Sequence, residues 1–285
     1  FFGKSLNKGT PLLPLYTKYT KRLLLVFITW TIFYAVFPHS LIDNILRYGL
    51  VKGAKEAFYS GPLALLTHHP VSLLLEGSGV HLWFLPSLII SLSIISGLIL
   101  AKKERLLLPL AAALYLFGVL AGSYAKTPLG ININFNTRDG PFFGTLFTVL
   151  GLRFSRLESF SFKTALAILL AGCLLQLSEA YLLQHYFNIN SFYDYALGTA
   201  VLGTGVFFFA LAHPQLGKSA FISQLSQLSL GIYLFHPFVY HIVLPFRHLF
   251  NPVFWDISLS FAVFAISAFA VWFLKSVPFT KQFVT

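Results

Sequence analysis

Three kinds of residue could do chemistry in this chain, and each stands in apolar surroundings. One is an arginine, in Arg138-Asp139-Gly140; a second is the carboxylate Glu179; the third is a set of nine histidines. A guanidinium at membrane depth costs about 2.5–3.5 kcal/mol or more unless it meets water, a carboxylate or an anionic ligand. One so placed could stabilise negative charge that develops in a reaction, and pairing with Asp139 at a thinned interface would also account for it. Imidazoles are the usual general bases near neutral pH, although they also settle at interfaces as Tyr and Trp do. His236-Pro237 combines two features, because Pro237 frees the carbonyl of Tyr233 from its helical hydrogen bond and leaves a polar notch beside an imidazole, or simply a packed kink. A hydrogen bond to a neighbouring helix would explain Glu179. Metal binding is not expected, since no HExxH occurs and the adjacent pair His68-His69 has poor ligand spacing.

Composition decides what must position these groups. Of 285 residues, 56% are hydrophobic and only 10% charged, with a mean hydropathy of +0.76, against roughly 25% charged residues in soluble domains. An integral membrane protein of the all-α, polytopic kind follows, and a cytosolic enzyme is excluded. The net charge of +11 resides in short loops beside apolar runs, a pattern of membrane topology and not of nucleic-acid binding. The single cysteine, Cys173, allows no intramolecular disulfide.

Spanning helices need roughly 20 apolar residues, and eight segments qualify: Leu23–Leu41, Leu82–Leu100, Leu106–Tyr124, Ile133–Leu152, Thr164–Tyr186, Tyr195–Ala212, Leu228–Phe246 and Phe254–Leu274. Alternation of sides puts 14 of the 20 Lys and Arg on one face, leaving Arg47, Lys52, Lys55, Lys126, Arg138 and Arg247 on the other. The richer face is expected to be cytoplasmic, with both observed ends there. Residues 39–81 form one long external loop, with short helices expected around Ile42–Lys52 and Pro70–Leu75. Of the histidines only His213 falls on the cytoplasmic side; His39, His68, His69, His81, His185, His236, His241 and His248 lie externally or within spans, which suggests an external or mid-membrane polar cavity. A helix from Ile133 would carry Arg138 about five residues, or roughly 8 Å, inside the outer boundary. No internal repeat or low-complexity linker is visible.

Four stretches, in order along the chain, resemble one family. They are Phe1-Phe2-Gly3-Lys4-Ser5-Leu6 with the basic segment Lys18–Arg22, His81-Leu82-Trp83-Phe84-Leu85-Pro86, Arg138-Asp139-Gly140-Pro141-Phe142-Phe143-Gly144 with Gly151, and Ser229–Pro237. Together they resemble the bacterial acyltransferase 3 family, integral membrane enzymes that O-acylate surface glycans and related acceptors. The resemblance implies ten helices, the first bearing an arginine and, about eleven residues later, a catalytic histidine. No Arg here is followed by His at that spacing. Phe1 would match the cytoplasmic end of the family's second helix, so two helices are expected upstream, and the absence of Met fits that expectation. A single domain over 1–285, inactive without its upstream base, is the corresponding reading.

The implied reaction moves an acyl group, acetyl being expected, from cytoplasmic acyl-CoA to a hydroxyl of an extracytoplasmic glycan or lipid-linked sugar. Arg138 would stabilise charge or position the acceptor, with His81, Tyr233 and His236 orienting groups in the cavity. Lys18, Lys21 and Arg22 would face the CoA phosphates, although the family's basic pair spaced by three is half present, Leu25 following Arg22. No bound cofactor is expected; acyl-CoA is a substrate, the bilayer is the other partner, and nucleic acid is not. A transporter or flippase for a polar or anionic solute would also use Arg138, Glu179 and broken helices. A non-catalytic sensor domain is the third reading.

Overall fold

A computed structural model of the chain describes residues 2–157, 159–189, 193–213, 215 and 217–284. Its elements in order are α1 (Phe2–Asn7), α2 (Leu12–Val36), α3 (Leu41–Tyr48), α4 (Leu50–Phe58), α5 (Ala64–His68), α6 (Pro70–Glu76), α7 (Phe84–Leu100), α8 (Leu107–Ala121), α9 (Pro141–Phe154), α10 (Phe162–Phe187), α11 (Leu197–Ala212), α12 (Ala220–Val243), α13 (Pro252–Ser276) and α14 (Pro278–Val284). No strand occurs among the described residues. The fold is an all-α membrane bundle. Among the described residues, six helical stretches are long and apolar enough to cross a bilayer: Leu12–Tyr48, Val80–Leu100, Glu104–Ala121, Phe162–Phe187, Ala220–Leu249 and Pro252–Ser276. Two more expected segments are also helical but shorter, α9 with 14 residues and α11 with 16.

The expected start of α9 is corrected. Its first helical residue is Pro141, not Ile133, and Arg138 lies in the preceding loop. The cause is local: Gly140 has φ +78°, outside the helical region, and Pro141 restricts the residue before it while fitting the first helical position. Arg138 is therefore not carried inside the bilayer boundary by a helix of its own. Similarly α11 begins at Leu197 instead of Tyr195. Phe1, which opens the first family-like stretch, lies outside the described residues.

The chain forms two compact units, Phe1–Lys21 with Trp83–Gly217, and Arg22–Leu82 with Lys218–Thr285. In the first, Ile95, Leu107, Tyr115, Val119, Leu146 and Val149 build a buried core. Small residues let its backbones approach. A Cβ at Gly172 of α10 would sit 2.5 Å from the Leu202 backbone, and those at Gly198 and Gly205 of α11 would sit 2.6 Å from the backbones of Gln176 and Leu169. Such contact between helices gains dispersion energy where lipid offers no hydrophobic drive. Ser87 and Ser91, one turn apart on α7, face α9; Ser91 Oγ lies 3.1 Å from Thr145 Oγ1, and Ser87 donates to the Gly140 carbonyl at 2.7 Å.

In the second unit, Gly231 of α12 leaves room for Val271 of α13, whose Cγ1 would lie 2.5 Å from an added Cβ. The Trp30 indole of α2 donates to the Phe283 carbonyl at 2.9 Å. Asn251 caps α13 ahead of Pro252 by accepting from the Val253 and Phe254 amides. The segment between α2 and α7 holds α3 to α6 and a π-helical stretch, Tyr59–Leu63. Along α13, Phe254, Ile257, Phe261, Phe264, Phe269 and Trp272 stand exposed. Rows of this kind are expected against lipid and not water.

Candidate active site

The first unit gathers the loop residues around Arg138. Its Nε donates to Asp139 Oδ1 at 3.3 Å and its Nη1 to Asp194 Oδ1 at 3.2 Å, and the guanidinium lies 5.4 Å from the centre of the Trp83 ring. The side chain is 15% exposed and Asp139 only 5%, so the charge is enclosed and balanced by carboxylates. The loop is fastened to α8: Thr137 Oγ1 donates to the Gly118 carbonyl at 2.8 Å, and the Tyr195 hydroxyl donates to the Thr137 carbonyl at 3.1 Å. Burial, helped by the Asp194 charge, pushes the Tyr195 phenol up to about 12. Asp194 is the partner that sequence reasoning missed; it is 56 positions from Arg138, and only a lone acid near an apolar helix marked it.

Glu179 has a structural occupation. Its Oε1 accepts from the Leu197 amide at 2.9 Å and from the Tyr124 hydroxyl at 2.5 Å, and its Oε2 accepts from the Gly198 amide at 2.7 Å. A carboxylate thus fills the anion-favouring N-terminus of α11. Burial and the neighbouring Glu179 charge both raise the Tyr124 and Tyr193 phenols.

The second unit brings His81, Tyr233 and His236 together. His81 Nε2 lies 3.2 Å from the Leu234 carbonyl, which also accepts from the Tyr34 hydroxyl at 2.7 Å. The Tyr233 hydroxyl donates to the His81 carbonyl. His236 Nδ1 lies 2.8 Å from the Tyr233 carbonyl, the acceptor that Pro237 releases. Facing carbonyls, His81 Nε2 and His236 Nδ1 must carry hydrogens, which leaves the opposite ring nitrogen of each as a bare acceptor when the ring is neutral. The set is larger than expected: ring centres of His39 and His241 are 4.8 Å apart, and those of His39 and His81 are 6.1 Å apart. Four imidazoles therefore share one neighbourhood, yet among the described residues no three ligand-type side chains are arranged to hold a metal ion.

The first unit also contains a groove of about 1390 Å³ whose walls include Lys4, Lys8, Arg105, Arg153 and Arg156, with Glu104 as the acid. Among the described residues none of these five cations is within ion-pair distance of a carboxylate. Lys18, Lys21 and Arg22 are exposed along α2 and do not line this groove. Adjoining it, and sharing Lys4, Leu152 and Ser155, is an apolar cleft of about 400 Å³ between α7 and α9.

A family model described as an acyltransferase domain, acyltransferase 3, matches residues 1–277. The chain belongs to the acyltransferase 3 family. A serine/alanine racemase of Enterococcus gallinarum is 32% identical over 180 residues, which is 58% of this chain and 25% of that protein. The chain thus spans about a quarter of the length of this curated relative. No solved structure matches it. In this acyltransferase 3 chain, the stretch Arg138–Gly144 is the clamped loop and first turn of α9, and Ser229–Pro237 is the part of α12 that presents Tyr233 and His236.

Proposed function

We infer that the protein is a membrane O-acyltransferase that takes an acyl group, acetyl in the simplest case, from cytoplasmic acyl-CoA and delivers it to a hydroxyl of an extracytoplasmic glycan or cell-envelope acceptor. The observation that carries this reading is the groove walled by Lys4, Lys8, Arg105, Arg153 and Arg156. The positive-inside rule accounts for basic residues in loops one at a time, but not for five cations from three chain segments converging on one large concavity. A ligand with several phosphates, such as the nucleotide end of coenzyme A, matches that charge and size.

The chemistry needs a base and a group that tolerates the oxyanion. The acceptor hydroxyl attacks the thioester carbonyl carbon and its proton passes to an imidazole; collapse of the tetrahedral intermediate breaks the C–S bond, and the CoA thiolate takes up the proton. His81 and His236, each with one ring nitrogen engaged by a carbonyl and the other bare, have the chemistry to orient polar groups of the acceptor. The clamp around Arg138 supports a positioning part for the loop before α9. A direct oxyanion contact is weakened by its two carboxylates.

Binding of coenzyme A to the chain in lipid nanodiscs tests the donor assignment. Arg153→Glu and Arg156→Glu together should weaken it about tenfold or more, and added salt should weaken it in the wild type. Undiminished binding by that variant would remove the groove from the donor site.

A further inference from the structure

The apolar cleft beside the basic groove has its own chemistry. Phe84 and Leu88 of α7, Phe143 and Phe147 of α9 and Phe207 of α11 wall it. Its hydroxyls are already spent on backbone carbonyls: Ser87 on Gly140, Thr148 on Gly144, and Ser155 on Leu152, at 2.6–2.7 Å. What remains is a surface suited to an apolar or weakly polar occupant, continuous with a polycationic mouth. From Ser155, which follows the last residue of α9 and is shared with the mouth, back to Gly144 is eleven residues, roughly 16 Å.

Two glycines of α9 line this cleft for different reasons. At Gly144 an added Cβ would lie 2.5 Å from Ser87 Oγ and 3.1 Å from Ser91 Oγ, so close packing against α7 closes the cleft there. At Gly151 an added Cβ would meet nothing within 4 Å. A helix-interior glycine costs about 0.5–1 kcal/mol relative to alanine, and neither packing nor backbone geometry asks for one at 151. Gly151 is an exposed position on the wall of the cleft, with open space beside it for an occupant.

We propose that this cleft is the subsite for the apolar arm of the donor: a pantetheine-type thioester enters from the basic groove past Gly151, and its acyl group lies toward the Gly144–Ser87 end. The inference rests on the donor reading above and adds to it a place for the thioester and a limit on the acyl group. Gly151 sets the bore and Gly144 the depth, which makes both specificity-determining positions. Charge complementarity selects this occupant over a lipid tail, since the mouth of the cleft is the polycationic groove.

The test compares ligands with and without the arm, using the 285-residue chain in phosphatidylcholine nanodiscs. The probes are 3′,5′-ADP, coenzyme A, acetyl-CoA and octanoyl-CoA. Because the space at Gly151 is empty, Gly151→Ala and Gly151→Phe should fold as the wild type does, with thermal unfolding as the control. In the wild type, coenzyme A should bind about tenfold or more tightly than 3′,5′-ADP. Gly151→Phe should leave 3′,5′-ADP within about twofold and bring coenzyme A down to the same affinity. Gly151→Ala should weaken octanoyl-CoA more than acetyl-CoA. Unchanged coenzyme A binding by a folded Gly151→Phe protein overturns the arm subsite while leaving the donor groove in place, and a lipid tail or another chain segment would then fill the cleft. If neither 3′,5′-ADP nor coenzyme A binds the wild type, the donor reading itself falls and this inference with it. Should Gly151→Phe fail to fold, the acetyl-to-octanoyl ratio in Gly151→Ala decides, and an unchanged ratio overturns the proposal.

Discussion

Glu179 and Gly198 join two helices end to side: the Glu179 carboxylate of α10 accepts the Gly198 amide of α11 at 2.7 Å, while its other oxygen holds the Leu197 amide and the Tyr124 hydroxyl. One side chain thereby satisfies two of the donors that every helix N-terminus leaves unpaired. The group with the strongest electrostatic presence inside α10 is spent on architecture, and chemistry must be sought elsewhere.

Replacing this carboxylate should therefore cost stability. Glu179→Ala strands two amides and a phenol and is expected to lower the unfolding free energy by about 2–3 kcal/mol. Glu179→Gln keeps one acceptor but turns an NH2 toward a donor, and should fall between Ala and wild type. Thermal unfolding in detergent measures both, and coenzyme A affinity of the folded fraction should stay within about twofold. A large affinity loss at unchanged stability would give Glu179 a binding role.

Arg138 behaves as a clamp between Asp139 and Asp194. Arg138→Ala leaves Asp139 enclosed without its cation, at a cost of about 3 kcal/mol or more, and Arg138→Lys loses the planar fork that reaches both acids. A double-mutant cycle with Asp194→Asn should show a coupling of about 1 kcal/mol or more. Because two ion pairs brace the loop, folded yield is expected to fall with these variants alongside turnover. Additive effects in the cycle would remove Asp194 from the clamp and leave Asp139 as the carboxylate paired with Arg138.

Alkaline pH should loosen the first unit through Tyr195. With the folded phenol held at about 12 by burial and the unfolded one near 10, both forms are protonated below pH 10. Between pH 10 and 12 the unfolded chain releases its proton first, so stability declines as pH rises through that window. Tyr195→Phe removes this contribution, and its melting temperature should fall less steeply above pH 10. A parallel decline in the two proteins would place the alkaline transition elsewhere.

Orientation can be read with single cysteines on a Cys173→Ser background. The 14-to-6 partition of basic residues predicts that Ser60→Cys reacts with an impermeant maleimide from outside and Lys103→Cys only after permeabilisation. The reverse pattern would invert the protein and with it the cytoplasmic assignment of the basic groove.

What the sequence alone determined is what local hydropathy and local sterics control. Apolar runs near 20 residues announce helices because each backbone polar group in lipid must be paired within its own segment. Gly140-Pro141 marks the start of α9, a signal that outranks the apolar residues reaching back to Ile133. His81, Tyr233 and His236 come together only through the fold, since 152 positions separate His81 from Tyr233. Partners distant in sequence could not be read that way, because nothing in the residues near Arg138 specifies Asp194, and nothing near Glu179 specifies the α11 amides. The cations at Lys4, Arg105 and Arg153 read as separate loop charges until the packing of α1, α8 and α9 gathers their segments around one groove. Tertiary structure decided these because glycine contacts such as Gly205 against Leu169 set how closely the helices pass, and that spacing determines which polar side chains meet.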